Sequence, residues 1–198
     1  MTMYITPAEA EAYYRSTVTA DIVEIEAAVE VASNAIDLHC VRSFVVPTAA
    51  TTRLFVADDS HLVKVDDIAN TTGLVIIDDV TTKLAADYQL ETSPGRTARP
   101  DPTGLTRPYA FLRHINGGYW YVNNDGEATL SITARFGWPA IPDAVKLATK
   151  MLSKDLLNMR DTRFGLVQVG DFSRRIAENG MVAAMLDPLK SADSIGIA

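Results

Sequence analysis

The sequence predicts an α+β protein in which N-terminal and central helices form a small helical bundle and an antiparallel β segment is inserted between them. Three observations carry that prediction. Apolar residues recur at spacings of three and four from Ile22 to His39, and at similar spacings from Val145 to Met159, the period of a helix with one buried face. Between these stretches the pattern changes to short runs of period two, separated by Gly, Pro, Asn and Asp, which is the signature of an antiparallel sheet. With 198 residues, 47% hydrophobic and 22% charged, the chain is long and apolar enough to bury a core. The expected organisation is a helical core from 1–46 plus 136–198, including a C-terminal extension, and a β subdomain at 47–135.

The first helix starts at Thr6-Pro7-Ala8-Glu9, a capping-box spacing in which the Thr6 hydroxyl accepts from the backbone three residues on and Glu9 reaches back. Pro7 suits the first helical position because its missing N–H would be unpaired there. This helix is expected to end between Arg15 and Thr19. A longer helix runs from about Ala20 to Arg42, with Ile22, Ile25, Val29, Ala32, Ile36 and His39 as one apolar stripe. Asp21 and Glu24 lie at its start and Arg42 at its end, the favourable senses for the helix dipole. Glu26, Glu30 and Asp37 fall on a different, acidic face.

Strands are expected at Arg53–Val56 and Leu62–Val65 around an Asp58-Asp59-Ser60 turn, then at Leu74–Ile77 and Tyr88–Glu91. The stretch from Ser93 to Pro108 holds Pro94, Gly95, Pro100, Pro102, Gly104 and Pro108, so it reads as a loop. The last strands are Phe111–Ile115, Tyr119–Val122 and Thr129–Ala134, joined by Asn116-Gly117-Gly118 and Asn123-Asn124-Asp125-Gly126, whose residues tolerate positive φ. Six or seven strands result. Helix returns with Pro142 in its first turn and Val145, Ala148, Leu152, Leu156 and Met159 on its buried face, widened by Leu147 and Met151. Lys146, Lys150 and Lys154 form a basic ridge beside that stripe, and like charges at this spacing disfavour an isolated helix. Leu166–Val169 reads as a strand, Met181–Leu186 as a short helix and Ser191–Ala198 as a tail.

The net charge is −7, from 18 basic and 25 acidic residues, and it is unevenly placed: −5 over residues 1–50, −3 over 51–135 and +1 over 136–198. An acidic balance excludes a general nucleic-acid binder, which needs clustered Lys and Arg. The single cysteine, Cys40, cannot form an internal disulfide. The first residues lack the basic and apolar regions of a signal peptide, and no run approaches the length of a membrane span.

No catalytic constellation is legible. His39, His61 and His114 are scattered, and the adjacent His39 and Cys40 diverge on a helix too far to share a metal. His39 reads as a structural residue at the core edge. The doublets Asp58-Asp59, Asp66-Asp67 and Asp78-Asp79 offer oxygen ligands without the spacing of a calcium loop, and they suit turns equally well. Nucleophile elbows, phosphate loops and dinucleotide fingerprints are absent from the sequence. No metal or cofactor is therefore expected. Tyr119, Trp120 and Tyr121, with Tyr109 and Phe111, leave a second reading open: a non-catalytic module gripping a glycan or small molecule.

The segment Ile132-Thr133-Ala134-Arg135-Phe136-Gly137-Trp138-Pro139-Ala140-Ile141-Pro142-Asp143-Ala144-Val145-Lys146 resembles the head-to-tail adaptor (head–tail connector) proteins of long-tailed double-stranded-DNA bacteriophages, especially those infecting actinobacteria. In that family a last strand enters a Gly-Trp-Pro turn, then a Pro-x-x-Val-Lys helix, then Arg-Asp, matched here by Arg160-Asp161. The resemblance implies a structural virion protein without catalytic residues. It would form a ring, commonly of twelve copies, made in the host cytoplasm and seated in the neck between the portal and the next stopper or tail protein. Genomic DNA would pass through the lumen unread. The C-terminal segment, with Phe164, Phe172, Arg174 and Arg175, is expected to face the portal.

Charge adds an expectation of its own. The ridge of Lys146, Lys150 and Lys154 can meet the acidic face of Glu26, Glu30 and Asp37 on a neighbouring copy, a head-to-tail contact able to close as a ring. A net-acidic wall would repel phosphate and limit sticking, which suits passage of DNA.

Overall fold

The computed structural model describes residues 3–14, 20–97, 104–123, 125–160 and 179–191. The protein is α+β: the described residues form four helices and a six-stranded antiparallel sheet. It divides into two compact units, Met1–Val45 with Ile141–Ala198, and Val46–Ala140.

The first unit holds α1 (Pro7–Tyr14), α2 (Ile22–Cys40), α3 (Asp143–Arg160) and α4 (Gly180–Leu186), the last followed by a single 3-10 turn, Asp187–Leu189. Helix α1 opens on the expected capping box, with the Glu9 carboxylate accepting from the Thr6 N–H at 2.8 Å and the Thr6 hydroxyl accepting from the Glu9 N–H at 3.2 Å. Helix α2 has a second one, Asp21 and Glu24 bonding reciprocally at 2.9 and 3.1 Å. Its last turn closes on Val41 in the left-handed conformation (φ 49°, ψ 42°), which is unfavourable for a β-branched residue.

The apolar stripe of α2 is buried as its spacing requires at Ile25, Val29, Ala32 and Ile36, while Ile22, at the helix start, is exposed. Helix α3 buries Val145, Ala148 and Leu152, and also Leu157, Thr149 and Ser153. The two hydroxyls are accommodated because each donates to a carbonyl four residues back, Thr149 to Val145 at 2.8 Å and Ser153 to Thr149 at 2.6 Å. Ile5, Ala10 and Tyr14 of the N-terminal segment join Ile25, Ala28, Val29 and Leu157 in one apolar cluster.

The second unit is the sheet: β1 (Thr51–Phe55), β2 (Leu62–Asp78), β3 (Thr81–Lys83), β4 (Tyr88–Glu91), β5 (Tyr109–His114) and β6 (Leu130–Phe136). The order is β1-β6-β2-β5-β4, with β3 paired to the end of β2. Period two is followed closely in β6, where Leu130, Ile132, Ala134 and Phe136 face the core.

Two expectations change here. Leu62–Val65 and Leu74–Ile77 belong to one strand of 17 residues, β2. The polar stretch between them is absorbed by register shifts, the first half pairing β5 and the second β6. Tyr119–Val122 is not a strand, because its backbone donors are used elsewhere: Trp120 N–H bonds the Ser60 carbonyl at 2.8 Å, and Tyr121 N–H bonds the Asp78 carboxylate at 3.1 Å. The segment thereby links the beginning of β2 to its end and places Trp120, 2% exposed, in the core. The expected strand at Leu166–Val169 lies outside the described residues.

One buried carboxylate anchors the Pro-rich loop. Glu91 accepts from Arg113 Nε at 2.6 Å, Arg113 Nη2 at 3.2 Å, Gln89 at 3.0 Å and the Gly95 N–H at 2.7 Å. Desolvation pushes its pKa up, but the Arg113 guanidinium and the other donors outweigh it, and the carboxyl titrates below its ordinary range.

The turn after β6 depends on Gly137, whose φ of 144° is closed to residues with a side chain and whose N–H bonds the Asp67 carbonyl at 2.7 Å. Gly137→Ala should therefore destabilise the protein by about 1–3 kcal/mol, read as a lower urea midpoint at unchanged slope. Arg113→Ala should likewise lower the urea midpoint in the same assay, because it strips Glu91 of its charged partner.

Candidate subunit interface

The helical unit is held by two tyrosine hydroxyls at either end of α1. Tyr14 donates to Ser153 Oγ on α3 at 2.9 Å. Tyr4, ahead of α1, donates to the Asp37 carboxylate on α2 and accepts from the Phe44 N–H at 2.9 Å. Burial, reinforced by Asp37, raises the Tyr4 pKa and keeps the hydroxyl protonated. These contacts also give the helix directions. Tyr4 meets the C-terminal half of α2 at Ser33 and Asp37, whereas Tyr14 packs with Ile25 and Val29 near its start, so α1 and α2 are antiparallel. Leu157, near the end of α3, joins the same cluster as Ile25 and Val29, so α2 and α3 are antiparallel too.

The expected acidic face of α2 is divided by this arrangement. Glu26, Glu30 and Asp37 project within about 40° of one another around the helix. Ser33 lies on the same strip and is fully buried, donating to the Val29 carbonyl at 2.8 Å and accepting from the Tyr4 N–H at 3.3 Å. Asp37 is half-buried beneath Tyr4, and burial raises its carboxyl above the ordinary range. Glu26 is exposed and Glu30 half-buried, so the outward part of the face is its N-terminal half. Beside it stands Val23, 67% exposed.

The basic ridge of α3 is half-buried at Lys146, Lys150 and Lys154. Lys146 Nζ is 3.8 Å from Asp143 Oδ1, a long exposed pair of little energetic weight. Glu9 of α1 titrates below its ordinary range chiefly through the Thr6 N–H and hydroxyl, with a smaller contribution from the charges of Lys150 and Lys146. Leu147, 41% exposed, sits within the ridge. Among the described residues, no ion pair joins Glu26, Glu30 or Asp37 to Lys146, Lys150 or Lys154 within the chain. Sequence reasoning missed Tyr4 and Tyr14, because contacts made across the chain leave no local period; it also missed the exposure of Val23.

The remaining residues singled out in the sequence are placed as follows. Arg135 and Phe136 end β6, Gly137 turns the chain, Trp138 is fully buried, Pro139 follows half-buried, and the buried Pro142 caps α3 by accepting from the Lys146 N–H at 3.1 Å. Val145 is in the core and Arg160 is the last residue of α3. Asp161, Phe164, Phe172, Arg174 and Arg175 lie outside the described residues. His39 stands 3.6 Å from Asp187, and burial lowers its pKa. Cys40 is buried, and burial pushes its thiol up to about 12, far from the range of a reactive thiolate. Asp59 accepts from the His61 and Leu62 N–H groups in a turn, Asp66 pairs with Arg53 at 2.5 Å and Asp78 with Lys83 at 3.0 Å. The described residues contain no cluster of three or more potential metal ligands, and no described helix is long and apolar enough to cross a membrane. With Trp120 in the core, the aromatic side chains offered to solvent by the 119–121 segment are Tyr119 and Tyr121.

Protein-family models and curated protein sequences give no match to this chain. Solved structures do share its fold. A chain from the neck of an empty gene transfer agent (GTA) particle, computed with C6 symmetry, superposes with a TM-score of 0.55 at 16% identity, over 96% of this chain and 90% of that one. A chain from the neck of the native GTA particle, computed with C12 symmetry, gives 0.50 at 16% over 97% and 93%. A chain from the virion of the native particle gives 0.50 at 18% over 96% and 90%. At these identities the likeness is one of fold. The chain thus has the α+β fold of chains from GTA neck and virion structures.

The burial of Asp37 has a measurable pH signature. Because the Asp37 carboxyl titrates above its ordinary range when folded, the native state holds the proton more tightly than the unfolded chain. Its contribution to stability therefore falls as pH rises from the ordinary aspartate range through the raised value. Urea unfolding across that window should show the wild-type stability declining relative to that of Asp37→Asn; a flat or rising difference would contradict the assignment.

Proposed function

We propose that this protein is a structural virion component, a head-to-tail adaptor that forms a ring in the neck between the portal and the stopper or tail proteins. Genomic DNA passes through the ring without being read. The observation that carries this reading is the whole-chain likeness to GTA neck chains, 96% of this chain on 90% of that one. The ordered motif from the end of β6 through Gly137-Trp138-Pro139 to Pro142, Val145 and Lys146 points the same way. Each of these residues serves the fold, by closing the sheet, turning the chain or starting α3.

A ring of twelve copies is consistent with neck structures computed with C12 and C6 symmetry, since a twelvefold ring also contains a sixfold axis. The protein is made in the host cytoplasm and ends in the virion. Its partners are further copies of itself, the portal through the C-terminal segment bearing Phe164, Phe172, Arg174 and Arg175, and the next neck protein on the opposite side. The chain acts by assembly and carries no catalytic role. A net charge of −7 per copy discourages phosphate from adhering to the channel.

Negative-stain microscopy of the protein alone and mixed with the portal protein of the same particle tests this function. Rings seated coaxially on the portal are expected. A chain that stays monomeric and ignores the portal, yet binds a glycan saturably and loses that binding on Tyr119→Ser, would instead establish the ligand-binding module.

A further inference from the structure

The charged strips of α2 and α3 are complementary in charge and spacing. On α2, Glu26 and Glu30 are four residues apart on the flank of the buried face; Glu26 and the intervening Ala27 are exposed and Glu30 is half-buried. On α3, Lys150 and Lys154 are four residues apart with Met151 in the turn between them, all three half-buried at the border of the face that buries Ser153 and Leu157. Two α2 strips brought together would oppose carboxylates, and two α3 strips would oppose ammonium groups. A two-fold contact of like on like is therefore disfavoured, whereas α2 on α3 of another copy is favoured, and such a heterologous contact propagates until it closes.

Direction follows from the fold. Successive copies in a twelvefold ring are related by about 30° of rotation, so each helix keeps nearly the same direction in its neighbour. Since α2 and α3 are antiparallel within one chain, α2 of one copy must meet α3 of the next in an antiparallel sense. Equal spacing of four then fixes the register. Resting on the ring reading above, we propose that neighbouring copies pack α2 against α3 in antiparallel fashion, Glu26 facing Lys154 and Glu30 facing Lys150, with Ala27 and Met151 between the two ion pairs. Asp37 takes no part in this contact, because Tyr4 of its own chain already engages it.

Charge exchange and cysteine pairing test this contact together. Lys150→Glu with Lys154→Glu, or Glu26→Lys with Glu30→Lys, should each weaken self-association about tenfold at low salt. The fourfold variant carrying both exchanges should recover most of it. Oxidation of the double variant Glu30→Cys/Lys150→Cys should yield a ladder of covalent oligomers, with the buried Cys40 as a silent background. A ladder from Glu30→Cys/Lys154→Cys instead would mean parallel packing and overturn the register. Failure of the fourfold variant to recover would overturn the charge pairing. Rings visible by microscopy that give neither ladder would overturn this contact and leave the neck reading standing, whereas a chain that never associates, with or without the portal, would overturn both.

Discussion

Two tyrosine hydroxyls set the relation between the long helices. Helix α1 has only eight residues, too few to be stable by itself. It is nevertheless held at both ends, by Tyr4 against Asp37 and Phe44 and by Tyr14 against Ser153. Each bond gives a tyrosine hydroxyl a partner inside the helical unit, and a buried polar group left unpaired costs more than the bond itself contributes. The short helix is thus a strut that fixes α2 antiparallel to α3, with their apolar stripes inward. The direction of any ring contact made through the charged strips of α2 and α3 is a consequence of this internal packing.

The sheet unit obeys a different constraint. A strand as long as β2 must change partners along its length, and it does so at register shifts in the stretch from Lys64 to Val75. Its two ends are then bound by the 119–121 segment, with Trp120 filling the core between them. Asp78 is tolerated in this buried place because the Tyr121 N–H and the Lys83 ammonium both reach its carboxylate. Glu91 is accommodated in the same way by Arg113 and Gly95. Buried carboxylates of this kind hold loops to a scaffold, and for Asp78 this accounts for one member of the acidic doublets.

Much of this was legible in the residues and some of it was not. The spacing of Ile25, Val29, Ala32 and Ile36 and of Val145, Ala148 and Leu152 reports burial directly, because a helix face repeats every three to four residues. The Thr6–Glu9 capping box and the β6 alternation are equally local. The unity of β2 was hidden, because Asp66-Asp67 and Asn70-Thr71-Thr72-Gly73 look like breaks and only the partner strands convert them into shifts of register. Tyr119–Val122 read as a strand on its aromatic content, while its hydrogen-bond partners, Ser60 and Asp78, are distant in sequence. The acidic face of α2 was visible as a periodicity, but its division was not, since the covering Tyr4 precedes Asp37 by 33 residues.

In the function proposed above, the chain works by assembly. The whole-chain fold likeness to GTA neck chains, the Gly137-Trp138-Pro139 turn and the opposed charges of α2 and α3 support the proposed reading, in which the chain works as one member of a ring around passing DNA. Native mass spectrometry of the purified protein bound to its portal measures that most directly. Twelve copies of this chain per portal ring are expected, in keeping with the C12 symmetry of a neck structure containing a chain of the same fold. A complex with a single copy, or a portal that leaves the chain unbound and monomeric, would contradict the ring.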